Sequence, residues 1–214
     1  MQERHKTTHL RAAYHLERVA SLHQLQPAAQ PDQVVAAARA MAADGLVVGT
    51  VGNVSARVPG GFLITPTRTS YDSLTRHDLV LVRDGDDTDA RTASREWPLH
   101  AAIYRARPEA GAIMHTHSVH ATAWSFLDEP LGPATEELEY YATGPIRTSA
   151  PAQAGSDRLG DNAVAALGAS SAVLLGRHGV VAVGPTPDDA LVIARVVEHQ
   201  AQVAWLLRNG GSAR

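Results

Sequence analysis

Three histidines fall within six positions of the stretch "AIMHTHSVHATAW", residues 112–124. His115 and His117 are separated by one residue inside an apolar run. On a β-strand, residues two apart face the same side. The H-x-H spacing therefore sets two imidazoles side by side, at a separation suited to one metal ion. A third, His178, sits in the tetrapeptide Gly176-Arg177-His178-Gly179, where a glycine-flanked turn can present a side chain rigidly. Three histidines with an open fourth position are the usual make-up of a catalytic zinc site. The plainer alternative is that these histidines pack in the core or face solvent. The apolar strand and the glycine-flanked third histidine weigh against it. His120 is out of register with the pair and takes a structural or supporting role.

Glu96 lies in "SREWPLH", within the first turn of an expected helix. Helical spacing puts Glu96 and His100 on one face. A carboxylate beside a dipositive ion can act as a general base while the metal stabilises the anion formed. It can equally be a first-turn glutamate favoured by the helix dipole. His100 can be a ligand or a packed residue. The stretches "GTVGNVSAR" and "ITPTRTSY" add a Gly-Asn turn with threonine and serine hydroxyls, groups able to cradle a phosphate. Turns of that composition are common, so they carry little alone.

Elements must position these groups. Leu10, Tyr14, Val19 and Leu22 recur at near-helical spacing, predicting a helix over residues 8–25 that "QPAAQPD" breaks. Pro31 or Asp32 opens a second helix that Gly45 ends. "GLVVGTVGNVSARVPGG" reads as strands and a tight turn, and "FLIT" and "DLVLVR" as strands. Ser94 is expected to cap a helix reaching about Ala106. "GAIMHTH" reads as a buried strand and "SVHATAWSF" as a helix. Residues 128–156 read as an irregular loop with short strands. "SDRLGDNAVAALG" is a helix, "SAVLLGRHGVVAVG" a hairpin, and Thr186 caps a final helix from Pro187 to about Arg208. Strands and helices mix without strict alternation, which predicts a layered α/β domain with a mixed sheet.

Composition narrows the chemistry. With 214 residues, the chain suits one domain, and 44% hydrophobic residues suffice for a core. A formal net charge of −3 implies no polyanionic partner such as nucleic acid. The chain has no cysteine, which excludes disulfides, thiolate nucleophiles and cysteine-based zinc sites. A soft metal must then be held by histidine and carboxylate. The polar opening "MQERHKTTHL" does not read as a signal peptide, and no stretch approaches a membrane span. A cytoplasmic protein with no membrane association is expected.

In order, the motifs are GNVSAR, ITPT, S-x-E-x-x-x-H, H-T-H and a distal HG inside a hairpin, followed by a long terminal helix. This series resembles the class II aldolase/adducin family, most closely its fuculose-1-phosphate aldolase-like branch, from about residue 31 to residue 208. The resemblance implies a three-layer α/β/α sandwich around a central mixed, mainly antiparallel sheet over residues 31–214. Residues 1–30 would form an N-terminal helical extension. It implies a divalent metal on His115, His117 and His178, usually zinc, with manganese, cobalt or iron as alternatives. It implies Glu96 as the acid/base and a phosphate cradle from Gly52, Asn53, Thr65, Thr67 and Ser94. It implies a homotetramer with active sites at subunit interfaces.

Two positions depart from the family pattern. Arg68 stands where a glycine often follows the ITPT motif, and Arg95 where a serine often precedes the glutamate. Both add a cation beside the expected phosphate cradle. The family's aldolases also use a tyrosine from a neighbouring subunit as proton donor; Tyr140 and Tyr141 are the nearest candidates here. The expected activity is a metal-dependent aldolase that splits a small ketose 1-phosphate into dihydroxyacetone phosphate and an aldehyde. Alternatives are a sugar-phosphate dehydratase acting on methylthioribulose 1-phosphate and a ribulose-phosphate 4-epimerase. Epimerases of the family typically carry aspartate where this chain has Glu96. A metal-free, adducin-like interaction module would require loss of the histidines, and all three are present.

Overall fold

The computed structural model describes residues 31–85, 92–127, 129–132, 135–142 and 144–210. The helix expected over residues 8–25, and the extension it belongs to, lie outside the described residues. Helix α1 (Pro31–Ala43) leads to the strand β1 (Asn53–Val58), which turns into β2 (Gly61–Ile64) and then β3 (Val80–Arg83). Helix α2 (Trp97–Ala106) precedes β4 (Ala112–Thr116) and α3 (Val119–Trp124). Then come α4 (Glu136–Ala142), β5 (Thr148–Ser149), α5 (Asp157–Leu167), the hairpin β6 (Ala172–Leu175) and β7 (Gly179–Gly184), and α6 (Pro187–Gly210).

The seven strands form one sheet in the order β3-β2-β1-β4-β7-β6-β5. Every neighbouring pair is antiparallel except β5 with β6. β4 is central, and all five of its residues are buried. Alternation along the strands splits the apolar residues into two cores, one on each face. Val54, Ala56, Met114 and Ala182 face Met41 of α1, Trp124 of α3, Leu138 of α4 and Val197 of α6. Ile113, Val173 and Val181 face Leu99 and Ile103 of α2 and Leu159 and Ala163 of α5. The result is the three-layer α/β/α arrangement, with a mixed, mainly antiparallel sheet. The same alternation puts Asn53, Ser55 and His115 on the α2 side.

Helix ends follow local chemistry. Ser156 caps α5, its hydroxyl accepting from the Leu159 amide at 3.3 Å. At α6, Thr186 Oγ accepts from the Asp189 amide while the Asp189 carboxylate accepts from the Thr186 amide, a reciprocal cap. α2 departs from expectation: it begins at Trp97 with Glu96 at the N-cap, not at Ser94. The preceding chain is committed elsewhere, because Ala93 bridges Pro66 and the Ser94 amide donates to the Thr65 carbonyl. α4 is a further difference, a short helix inside the stretch read as irregular. Leu138 and Ala142 anchor it in the core. Among the described residues, no helix is long and apolar enough to cross a membrane.

Candidate active site

The candidate residues converge at one end of the sheet. Asn53, the first residue of β1, pairs with His115 of β4. The chain leaving β4 carries His117, whose amide donates to the Leu46 carbonyl at 3.1 Å. The β6–β7 turn carries His178, and the N-cap of α2 brings Glu96 over the same end. Ring centroids lie 4.7 Å apart for His115 and His117, and 4.9 Å for His178 with each of them. One ligand atom from each of Glu96, His115, His117 and His178 falls within 4.8 Å of all the others.

Close approach makes this possible. A Cβ on Gly179 would lie 2.3 Å from the Thr116 carbonyl oxygen and press on the His115 and His117 rings at 3.2 and 3.3 Å. Only glycine lets the start of β7 seat itself against these rings. Arg177, just before His178, adopts a left-handed φ of 59°, an uncommon conformation for a non-glycine residue.

Proton placement tests whether these groups suit a cation. The Nδ1 atom of His115 lies 2.8 Å from the Val180 carbonyl oxygen, which can only accept. Nδ1 therefore carries a proton, and in the neutral form of His115 the Nε2 lone pair points into the cluster. There it meets Nε2 of His117 at 2.9 Å and Oε2 of Glu96 at 3.2 Å. Oε1 of Glu96 stands 3.2 Å from Nε2 of His178 yet has no aligned hydrogen bond, a buried carboxylate oxygen without a partner. Lone pairs and a carboxylate converging on one point form a donor set that fits a divalent cation.

Electrostatics agree with that geometry. Burial raises the Glu96 carboxyl, but His115, His178 and the Asn53 amide outweigh it and hold Glu96 well below the usual carboxylate range. Burial pushes His117 down to about 4 and lowers His178, with the neighbouring imidazoles adding to the effect. Burial also works against protonated His115, but Glu96 more than offsets it and His115 is raised. One carboxylate cannot satisfy three imidazoles as cations, so at neutral pH the cluster is poised as ligands.

A buried polar row runs behind the cluster. Asn53 Nδ2 donates to Glu96 Oε2 at 3.1 Å, and Asn53 Oδ1 lies 2.5 Å from Nε2 of His100. His100 Nδ1 meets Ser55 Oγ at 2.6 Å, and Ser55 Oγ meets the Tyr104 hydroxyl at 2.9 Å. Burial lowers His100 to about 3, so its imidazole is neutral. The Tyr71 hydroxyl donates to the carbonyl oxygens of Val51 and Gly52 at 3.2 and 2.7 Å. It thereby fixes the loop that enters β1. A Cβ on Gly52 would lie 2.8 Å from the His115 carbonyl oxygen.

The remaining sequence candidates are placed as follows. Thr65 is buried, its Oγ accepting from the Val54 amide at 3.2 Å. Ser94 Oγ accepts from the Glu96 amide at 3.3 Å. Thr67 and Arg68 are exposed, and Arg68 has a left-handed φ of 57°. Arg95 is exposed and near enough to His178 to help lower its pKa. Tyr140 lies on α4, 65% exposed and edge-on to Tyr141, outside the Glu96 cluster. His100 is likewise outside it. His120 is paired through Nδ1 with Glu198 at 2.8 Å, and Glu198 also accepts from the backbone amides of His120 and Ala121 at the start of α3. Ser55 and Tyr71 fall within the quoted motifs but were not singled out as site residues, and Tyr104 was not considered. Ser55 follows Asn53 by two and Tyr104 follows His100 by four, so strand and helix periodicity carried a signal for both.

Comparison with known proteins came out consistently. The sequence profile described as Class II Aldolase and Adducin N-terminal domain matches residues 32–205. The chain is 39% identical over 161 residues to L-fuculose phosphate aldolase of Escherichia coli O6:H1, covering 74% of each chain. It is 36% identical over 174 residues to 5-methylthioribulose-1-phosphate/5-deoxyribulose-1-phosphate aldolase of Rhodospirillum rubrum, covering 80% of this chain and 78% of that one. Its fold resembles the crystal structure of L-fuculose-1-phosphate aldolase from Thermus thermophilus, with a TM-score of 0.77 at 29% identity, over 86% of this chain and 96% of that one.

Proposed function

Because the chain belongs to the class II aldolase and adducin family, we propose that it is a divalent-metal-dependent aldolase. It would cleave a small ketose 1-phosphate to dihydroxyacetone phosphate and an aldehyde. The observation that carries this reading is the convergence of three imidazole nitrogens with a buried, ionised Glu96 whose Oε1 lacks an aligned hydrogen bond. An adducin-like interaction module has no use for such a donor set.

In this reading His115, His117 and His178 hold the cation, with zinc favoured by the imidazole ligands and manganese, cobalt or iron as alternatives. The cation would supply Lewis-acid stabilisation of the negative charge that develops as the carbon–carbon bond breaks. The chain's own residues handle protons. Cleavage of the C3–C4 bond removes one proton from the C4 hydroxyl and adds one at C3, so the reaction is proton-neutral overall. Glu96 exchanges the proton at C3 through Oε1, while Asn53 holds Oε2. Tyr140 of a neighbouring copy is proposed to exchange the hydroxyl proton. Gly52, Asn53, Thr65, Thr67 and Ser94 are proposed to line the phosphate end, with Arg68 and Arg95 adding charge-assisted donors there.

A tetramer with shared active sites is part of the proposal. Phe126, Tyr140, Trp205, Leu206 and Leu207 are exposed large apolar side chains on the isolated chain. Light scattering should give a particle four times the 22.7 kDa chain mass. A fully active monomer would rule out shared sites.

The Rhodospirillum rubrum relative favours a second substrate, a ketose 1-phosphate with a thioether or deoxy terminus. The decisive experiment incubates metal-loaded protein with L-fuculose 1-phosphate and with 5-methylthioribulose 1-phosphate. Aldehyde release, water loss and epimerisation are scored separately. Aldehyde release from either supports the aldolase; water loss or epimerisation without aldehyde would replace it with the dehydratase or epimerase reading.

A further inference from the structure

The polar row behind Glu96 has a single consistent proton arrangement. An ionised carboxylate only accepts, so the Asn53 group facing Glu96 Oε2 at 3.1 Å is the NH2, and Asn53 Oδ1 faces His100. Oδ1 also only accepts, so the proton between it and His100, at 2.5 Å, belongs to Nε2 of His100. In a neutral imidazole Nδ1 then bears the lone pair, and Ser55 Oγ–H must donate to it across 2.6 Å. With its proton so committed, Ser55 Oγ accepts from the Tyr104 hydroxyl at 2.9 Å. Tyr104 is held in turn by Arg57, whose guanidinium lies 4.6 Å from the ring centroid and donates to the Tyr104 and Ala110 carbonyls.

All members are deeply buried: Ser55 and His100 are fully buried, Asn53 is 1% exposed and Tyr104 5%. They come from two elements, the strand β1 and the helix α2 that covers the same face of the sheet. Burying this many polar groups is costly unless each is satisfied. Here every hydrogen bond points toward Glu96, and the row ends on one of its two oxygens.

We propose that His100 is a positioning residue, which as the Nε2–H tautomer locks the Asn53 amide so that Glu96 Oε2 is pinned and Oε1 alone is left to exchange protons. This rests on the aldolase reading for Glu96's task, but the geometry it invokes does not. The charged and titratable groups facing Glu96 are His115 from β4, His178 from the β6–β7 turn and, more distantly, Tyr71; those acting on His100 are His115 and Glu96. The neutrality of His100, held down by burial, is what keeps the direction of the row fixed.

Two substitutions separate positioning from packing. In His100→Gln the side-chain amide nitrogen takes the place of Nε2 and keeps the donor to Asn53. In His100→Asn the shorter amide reaches only the Ser55 side and loses it. Both are prepared with metal content matched to the wild type. His100→Gln should keep kcat within about threefold on a phosphorylated ketose. His100→Asn should lose roughly 10- to 100-fold in kcat with KM changed less than about threefold, the range expected when a general base is misplaced rather than removed. Ser55→Ala, which removes one oxygen atom, should lie between the two. A second readout is independent of turnover: in protein labelled with 15N-histidine, the His100 ring should carry its proton on Nε2 and not titrate between about pH 5 and 8. Equal losses in His100→Gln and His100→Asn, or a ring protonated on Nδ1, would overturn the proposal. Absence of aldol cleavage by the wild type would instead remove the aldolase reading and leave the nitrogen spectrum to decide the tautomer.

Discussion

Nδ1 of His115 and the carbonyl oxygen of Val180 lie 2.8 Å apart across the β4–β7 ladder. The backbone of one strand thereby dictates the tautomer of a side chain on its neighbour, and aims Nε2 at His117, His178 and Glu96. This is the orienting contact that a metal-ligating histidine usually makes with its other nitrogen. About one divalent ion per chain is expected by elemental analysis. His117→Ala should empty the site while leaving the fold intact, since His117 lies past the end of β4. Gly179→Ala should also weaken metal binding, through its collision with Thr116 and the two rings, and should lower the melting temperature as well. Full metal occupancy in His117→Ala would move the site elsewhere.

Glu96 combines burial with an ionised carboxylate, which its imidazole and amide neighbours sustain. Glu96→Gln keeps the shape and removes the basicity. It should cost on the order of 10²–10⁴-fold in turnover, the usual range for a general acid–base group. Metal content should stay near that of the wild type, and the comparison is made on metal-replete protein. Near-native turnover would transfer the proton exchange to another group.

His100 links the site to acid stability. Its folded-state value, lowered to about 3, lies far below the ordinary 6.5, so the folded protein refuses a proton that the unfolded chain accepts. The sign follows: this contribution is fully present above about pH 6.5 and is lost as the pH falls toward 3. At pH 5 the loss amounts to roughly 2 kcal/mol for one group. His117 and His178, also lowered, act in the same direction; raised His115 acts against them. Denaturant midpoints of metal-free protein between pH 7 and 5 should therefore fall less in His100→Gln than in the wild type. Parallel slopes would show that His100 does not stay neutral in the fold.

Which parts of this arrangement the sequence disclosed follows from the range of the forces involved. β4 and the β6–β7 hairpin were legible because apolar residues and glycines specify them locally; β4 carries His115, and His117 follows just past its end. The cap of α6 was legible for the same reason. The start of α2 was not: Ser94 has the chemistry of a cap, but a bridge to Pro66 and a bond to Thr65, both distant in sequence, pull the chain away from helix until Trp97. α4 forms because Leu138 and Ala142, one turn apart, find the core; a single apolar pair in a short, acid-rich stretch is too little to mark a helix in the sequence. Spacing placed His100 on the face of Glu96, yet its partners Asn53 and Ser55 lie 47 and 45 residues away. Nothing local to His100 distinguishes a ligand from a link in a hydrogen-bonded row.

Arg68 carries the last test, because stability and function should respond to it with opposite signs. The structure gives it a left-handed φ of 57°, a conformation that costs a side-chain-bearing residue roughly 1–2 kcal/mol and glycine almost nothing. A glycine at this position in similar proteins is therefore the relaxed choice, and arginine here is held against strain. Strain of this kind tends to persist where the side chain has a task. The proposed task is to grip the phosphate end of the substrate with its planar fork of donors. Arg68→Gly should leave the melting temperature unchanged or slightly higher, since relief of strain offsets the added freedom of the unfolded chain. The same variant should raise KM for a phosphorylated ketose by roughly 10- to 150-fold, corresponding to the 1.5–3 kcal/mol of a hydrogen bond to a charged group. Metal content should not change. An unchanged KM, or equal turnover of the unphosphorylated sugar by the wild type, would remove Arg68 from the anion site and leave its strained backbone without a functional account.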